Sequence, residues 1–186
     1  MRPLVRPLLV LSTLAAPLRP QAVEADRAVA SEGAAPGLRR LVYLTGRWSV
    51  RNFVRNAGGV FVEQPARSFM RARYLRDGLS LLVEYHEARA DGFHGVHLIT
   101  ADPARGLVHR YSDARRNQRV EFSGRFDGDQ YVISRVGGYE DQGTYLYREV
   151  DGEVGPDAFV KRLYRSDDGG VSWSELGYYY RFVREP

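Results

Sequence analysis

The stretch "LTGRWSV", Leu44 to Val50, marks the point where the chain changes character. Before it, residues 26–37 ("DRAVASEGAAPG") are small, polar and aperiodic, so 26–40 reads as a flexible lead-in. After it, short runs rich in Val, Tyr, Phe, Leu and Arg alternate with tight turn signals to the end of the chain, and Gly46-x-Trp48 opens the first of these runs. Asp-Gly follows at 77–78, 91–92, 127–128, 151–152 and 168–169. This dipeptide suits hairpin turns because glycine, and to a lesser degree Asp, tolerates positive φ. Asn56 to Gly59 and Asp102 to Gly106 supply two further turns.

The runs between these signals are expected strands: 44–54, 60–75, 79–89, 93–101, 107–112, 119–126, 130–137, 144–150, 158–165 and 173–183. Pro65 has no N–H for a ladder, so the second is broken or bulged there. The only helical candidate is a turn at Pro36 to Leu41. Sequential hairpins without helical crossovers predict an all-β fold: one domain over 41–186, an antiparallel up-and-down β-barrel of about eight to ten strands with a small cavity.

The N-terminus carries an export signature. Arg2 and Arg6 precede a short apolar run, Leu8 to Ala16, and Val23-Glu24-Ala25 offers small residues where a signal peptidase reads. The run is too short to span a bilayer, so 1–25 reads as a signal peptide and not as a stable membrane anchor. Its removal discards Arg2, Arg6, Arg19 and Glu24, which lowers the net charge of +4 by two. Nucleic-acid binding thereby loses its compositional support. The absence of cysteine rules out disulfides, thiol catalysis and lipid attachment at a lipobox. An exported chain of this kind points to a bacterial periplasm or the extracellular medium.

Gly46-x-Trp48 resembles the first-strand signature of the lipocalins and wider calycins. That resemblance implies a tryptophan closing the barrel floor under an arginine from a late strand, here Arg181 or Arg184 in "YYYRFVRE". Over 41–184 the chain also resembles an uncharacterised bacterial secreted family, a domain of unknown function with a calycin-like barrel. The resemblance rests on Leu44-x-Gly46-x-Trp48, "LITADPARGLVHRYSDA", "FSGRFDGD" and "SDDGGVSW". The chain departs from the family pattern at Ala101, where a tyrosine precedes Asp-Pro, and at Val108, near a common tryptophan. The resemblance implies the barrel and names neither ligand nor cofactor.

"RSDDGGVSW" contains Ser166, Asp168, Gly170 and Trp173 in the S-x-D-x-G-x-x-W pattern of the Asp-box, which recurs in sialidase propellers. A single box in a chain too short for several four-stranded blades reads as a turn and not as a glycosidase. In that reading Asp168 accepts backbone N–H bonds, the glycines supply unusual φ, and Trp173 packs on the hairpin.

The histidines carry the sharpest chemical alternative. A two-residue turn at Asp91-Gly92 would set His86 opposite His97, and the Asp102–Gly106 turn would set Ile99 opposite His109. Those registers put His86, His97 and His109 on one face with Glu84 and Tyr111, close enough to share a metal or to serve a haem. The opposite face, with Leu79, Leu81, Val83, Tyr85, Val96, Leu98 and Val108, is more continuously apolar. Pattern alone therefore turns that face inward and leaves the histidines outside. Tyr85, Leu98 and Tyr111 are candidates to line a ligand site. Carboxylates at Asp-Gly are assigned to turns. The arginines at 110, 115, 116, 119, 125 and 135 suit either an anion-binding mouth or a solvated face, and only part of Tyr178-Tyr179-Tyr180 can reach a ligand. Neither G-x-S-x-G nor H-E-x-x-H occurs. The expected function is binding of a small apolar or amphipathic ligand without catalysis; a histidine metal or haem protein and a filled structural barrel are the alternatives.

Overall fold

The structure is a computed structural model and describes residues 35–75, 78–87, 94–113, 117–139 and 143–186. The expected signal peptide and the first part of the lead-in lie outside the described residues, as does Asp91-Gly92. A short helix α1 (Pro36–Arg39) and a 3-10 turn (Arg40–Leu44) lead into eleven strands. These are β1 (Gly46–Arg55), β2 (Phe61–Glu63), β3 (Ser68–Tyr74), β4 (Ser80–Glu87), β5 (His94–Asp102) and β6 (Gly106–Asp113). They continue as β7 (Gln118–Asp127), β8 (Gln130–Tyr139), β9 (Gly143–Gly152), β10 (Ala158–Ser166) and β11 (Ser174–Arg184).

Consecutive antiparallel pairs run from β3 to β11, β1 pairs β3, and β11 returns to β1, which closes an up-and-down barrel of ten strands. Closure leaves no long edge for another chain to extend. β2 and β3 lie along the same side of β1, separated at Pro65 as its missing N–H requires. Phe53 faces Glu63 and Val50 faces Ser68, so the break slips the register by an even step and keeps the same residues inward.

Turn chemistry accounts for the connections. Asn56 Oδ1 accepts the N–H groups of Gly58 and Val60, each at 3.0 Å. Asp102 Oδ1 accepts those of Ala104 (2.9 Å) and Arg105 (3.0 Å), and Gly106 follows at φ 79°. Asp127 pairs Gln130 across a two-residue turn in which Gly128 takes φ 57°. Asp151-Gly152 departs from expectation. Both residues belong to β9, and Glu153, at φ 52°, takes the left-handed position instead. Asp151 is therefore a strand residue.

The floor is built where the first and last strands meet. Leu38, Leu41 and Leu44 are buried beneath the barrel with Trp48, which is 0% exposed. The Trp48 indole N–H donates to the Leu44 carbonyl at 2.7 Å. Its ring meets Phe159 edge-on at 5.1 Å, and Phe159 stacks on Phe182 at 4.2 Å. Trp48 pairs Arg184 across the closing ladder, and that guanidinium sits 3.9 Å from the ring centroid. Arg184 also donates to the carbonyls of Thr45 (2.8 Å), Tyr43 (3.2 Å) and Pro156 (2.7 Å). Of the two candidate arginines, Arg184 holds the floor. Arg181 faces Arg51 on the outer surface, because inward positions on β11 fall on even numbers.

The Asp-box residues form the β10–β11 turn. Ser166 Oγ donates to Asp168 Oδ1 at 2.7 Å and accepts from the Gly170 N–H at 2.8 Å. The Ser172 N–H reaches both Asp168 oxygens at 3.0 Å, and its hydroxyl donates to Oδ2 at 2.5 Å. The bonds from Ser172 and Ser166 hold the Asp168 carboxyl far below its usual range. Trp173 donates to the Gly170 carbonyl at 3.1 Å, and Arg148 lies 4.1 Å from its ring centroid.

Two stability predictions follow from these contacts. Trp48→Ala is expected to lower unfolding free energy by about 3–5 kcal/mol. Arg184→Ala should couple to it by more than about 0.5 kcal/mol in a double-mutant cycle, whereas Arg181→Ala should add independently; urea titration reads both, and additivity at Arg184 would remove the floor argument. Gly170 sits at φ 96°, where an added Cβ would lie 3.3 Å from Leu146 Cδ1. Gly170→Ala should therefore destabilise by about 1–2 kcal/mol. Asp168→Ala should lower the melting temperature as well; an unchanged melting temperature in both variants would mean the turn does not need the box.

Candidate functional site

Inward positions alternate along each strand, and the ladders bring them to a common lumen. A cavity of about 500 Å³ occupies it, running from Leu44, Phe159 and Phe182 near the floor to Glu87 and Gln118 at the other end. Gln118 is exposed, so the cavity meets solvent there. Tyr85, Tyr111, Tyr145, Tyr147, Tyr178 and Tyr180 supply much of the wall. Tyr179 turns outward and stacks on Phe53 at 4.7 Å.

The β5–β6 register is the one the Asp102–Gly106 turn dictates: Ala101 faces Leu107 and Ile99 faces His109. The β4–β5 register differs from expectation. His86 faces His94, and His97 faces Val83. This offset from a two-residue turn is an odd number of residues, and an odd slip exchanges the two faces of a strand. His97, His109, Tyr111, Val83, Tyr85 and Leu81 consequently share the inner face. Leu98, expected to line the site, points outward, as do Val96 (43% exposed) and Val108, whereas Leu79 (59% exposed) lies just before β4. The expected three-histidine face is divided: His86 meets His94 outside, Nδ1 to Nδ1 at 2.7 Å, while His97 and His109 stay in the lumen with ring centroids 6.3 Å apart. Among the described residues, no three His, Cys, Asp or Glu side chains are placed to hold a metal ion.

His109 is 1% exposed and its Nε2 is hydrogen-bonded to the Tyr131 hydroxyl. Gly124 makes this pair possible. A Cβ there would overlap the Tyr131 hydroxyl and stand 3.0 Å from His109 Nε2. Burial pushes His109 well below its ordinary pKa, and His97 and Lys161 push the same way. Burial lowers His97 to about 4, more than the Glu149 carboxylate can raise it. Both rings are neutral at pH 7.

Beside them sits an ionic cluster. Lys161 Nζ lies 2.8 Å from Glu149 Oε2 and 3.3 Å from Asp151 Oδ1. Tyr43, from the 3-10 turn, donates to Asp151 Oδ2 at 2.7 Å, and Tyr147 donates to Glu149 at 3.1 Å. Burial would lift Glu149, but the Lys161 charge and its hydrogen bond prevail and hold the carboxyl below its ordinary value. For Asp151 burial prevails over Lys161 and Tyr43, and the pKa rises. Burial opposes the Lys161 charge, yet the Asp151 and Glu149 carboxylates raise its pKa. The ammonium is thus fixed and neutralised.

The candidate arginines divide the same way. Arg110, Arg119 and Arg125 are exposed, Arg115 and Arg116 lie outside the described residues, and Arg135 lines the cavity. The cluster partners were visible only as faint signals: Lys161 is the chain's single lysine, and Tyr145, Tyr147, Glu149 and Asp151 alternate along β9. A cavity of this size and lining can hold, orient and desolvate a small molecule. Its neutral histidines can accept hydrogen bonds, and Glu149 and Asp151 are engaged by Lys161.

No known protein family matches the chain, and no curated protein does. Among solved structures, EF1p2_mFAP2b bound to DFHBI is similar over 78% of this chain and 97% of that one, at 13% identity and a TM-score of 0.38. Closure of the barrel here is established by its own ladders.

The lumenal histidines predict a pH dependence. The folded state keeps His97 neutral down to about 4, whereas the unfolded chain takes up its proton near 6.5. The depressed pKa means that stability is full above pH 6.5 and falls as the pH drops through that value toward 4. The ring opens onto the lumen, where water tempers the effect, so the expected loss is about 1–3 kcal/mol between pH 7 and pH 4. Urea titrations of wild type and His97→Gln at several pH values read it as a difference that narrows on acidification. Parallel pH profiles would show that His97 does not titrate in this way.

Proposed function

We propose that this chain is an exported, non-catalytic barrel that carries a small amphipathic ligand in its lumen. The observation that carries the reading is the cavity of about 500 Å³, lined by tyrosine rings and by a few polar groups fixed in place. That combination suits recognition: apolar and aromatic surface for affinity, sparse polar groups for orientation. A filled structural barrel would not leave this volume. Division of His86 from His97 and His109 weighs against the three-histidine metal site. Export is supported by the charged start, the short apolar run and Val23-Glu24-Ala25.

Native mass spectrometry of protein purified from its own host tests both parts. The expected chain begins at or near Asp26 and carries a non-covalent adduct that denaturation releases. Val83, on the inner wall, gives the control, because Val83→Trp projects a large ring into the cavity and obstructs it. The adduct should disappear in that variant while the fold, read by circular dichroism, is retained. A full-length chain would sink the export assignment, and an adduct that survives Val83→Trp would place the ligand elsewhere.

A further inference from the structure

Among the described residues two cations line the lumen, and the fold treats them differently. Lys161 is neutralised by Glu149 and Asp151. Arg135, on β8, has its guanidinium carbon 5.3 Å from the Phe122 ring centroid and 5.6 Å from that of Tyr147. Rings of this kind hold the faces of a guanidinium and leave the N–H groups on its edge unanswered. Among the described residues Arg135 forms no hydrogen bond or ion pair, and its Nε is buried without a partner.

The carboxylates that would neutralise it are placed elsewhere. Glu149 faces Ile133, one step along from Arg135, but its oxygens are committed to Lys161 at 2.8 Å and Tyr147 at 3.1 Å. Asp151 lies deeper, facing Tyr131, and receives Tyr43. Glu87 stands on β4, four strands around the barrel from β8. A guanidinium remains charged at every accessible pH, and an unpaired charge against a protein wall is unfavourable. An anion answers such N–H groups better than water does, because a charge-assisted pair is stronger.

We propose that the lumen selects a mono-anionic amphiphile, a carboxylate or sulfonate carried on a flat apolar body. The anion's oxygens accept from the edge of Arg135, and the body lies among Tyr85, Tyr111, Tyr147 and Tyr180. Arg135, with no ion-pair partner among the described residues, matches one negative charge; a second would be repelled by Glu149. This rests on the lumen-binding reading and names the ligand class for it.

The test uses two fluorescent probes with one ring skeleton, anionic 1-anilinonaphthalene-8-sulfonate and neutral N-phenyl-1-naphthylamine. Arg135→Gln is expected to weaken the sulfonate about tenfold and the neutral amine less than about twofold. Arg135→Lys should restore part of the sulfonate affinity. A readout on the wild type alone guards against misfolding: 1-naphthoate should displace the neutral probe at lower concentration than uncharged 1-naphthylmethanol. If the neutral probe binds in the lumen but naphthoate and its alcohol compete equally, or if Arg135→Gln weakens both probes alike, the anion inference falls and the lumen reading stands. If no probe binds the wild type, or if Val83→Trp leaves probe binding unchanged, the lumen reading falls and this inference with it.

Discussion

Arg184 laid over Trp48 is the contact on which the barrel depends. It joins the start of the first strand to the end of the last, at the floor, with the indole N–H and three carbonyls engaged around it. A ten-stranded ladder closes only if its first and last members meet in one register. Trp48 opposite Arg184 fixes that register at one end, and the alternation of side chains carries it upward. Val50 against Phe182 and Asn52 against Tyr180 follow from it. The identity of every inward residue is therefore tied to the floor, several strands away from most of them.

The same closure explains how a wall this polar is tolerated. Lys161 could not sit inside an apolar lumen alone, because an unpaired buried ammonium is strongly unfavourable. Two carboxylates on the adjacent strand meet it, and tyrosines on either side complete their hydrogen bonding. One of those tyrosines, Tyr43, belongs to the floor segment. The floor thus connects to the polar wall directly, and the cavity's chemistry is braced from below.

Most of the architecture was legible because turn chemistry is local. Asn56, Asp102, Pro65 and the Asp-box each act through atoms a few residues away, and the structure places turns or breaks at all four. The β5–β6 register was legible for the same reason. The β4–β5 register was not, because it was inferred from Asp91-Gly92 as a two-residue turn, and the pairing of His86 with His94 differs by an odd step. Asp151 escaped notice because its Asp-Gly dipeptide reads as a turn, although a non-glycine residue, Glu153, adopts the positive φ two positions on. Choosing between Arg181 and Arg184 needed the parity of β11, which its aromatic run conceals by being apolar at Tyr178, Tyr179 and Tyr180 alike.

A physical reason lies behind the failure to orient the sheet. The hydrophobic alternation rule assumes a dry inside and a wet outside. A barrel built around a cavity relaxes the first condition, and this one relaxes the second as well. Val132, Val150 and Val160 occupy outward positions and are still no more than 9% exposed. Arg148 lies 4.9 Å from the Tyr164 ring centroid and Arg162 lies 5.0 Å from that of Tyr179, so long side chains lie over the outer surface and keep their charges in water. Both faces of β8 to β10 thus mix apolar and charged residues, and average hydrophobicity carries no sign. The informative residues are those whose chemistry fits only one face. A glycine at 124 is needed where Tyr131 reaches His109, and a lone lysine at 161 is needed where two carboxylates converge. In a ligand-sized barrel, the inner face announces itself by polar groups that need one another rather than by apolar groups that avoid water.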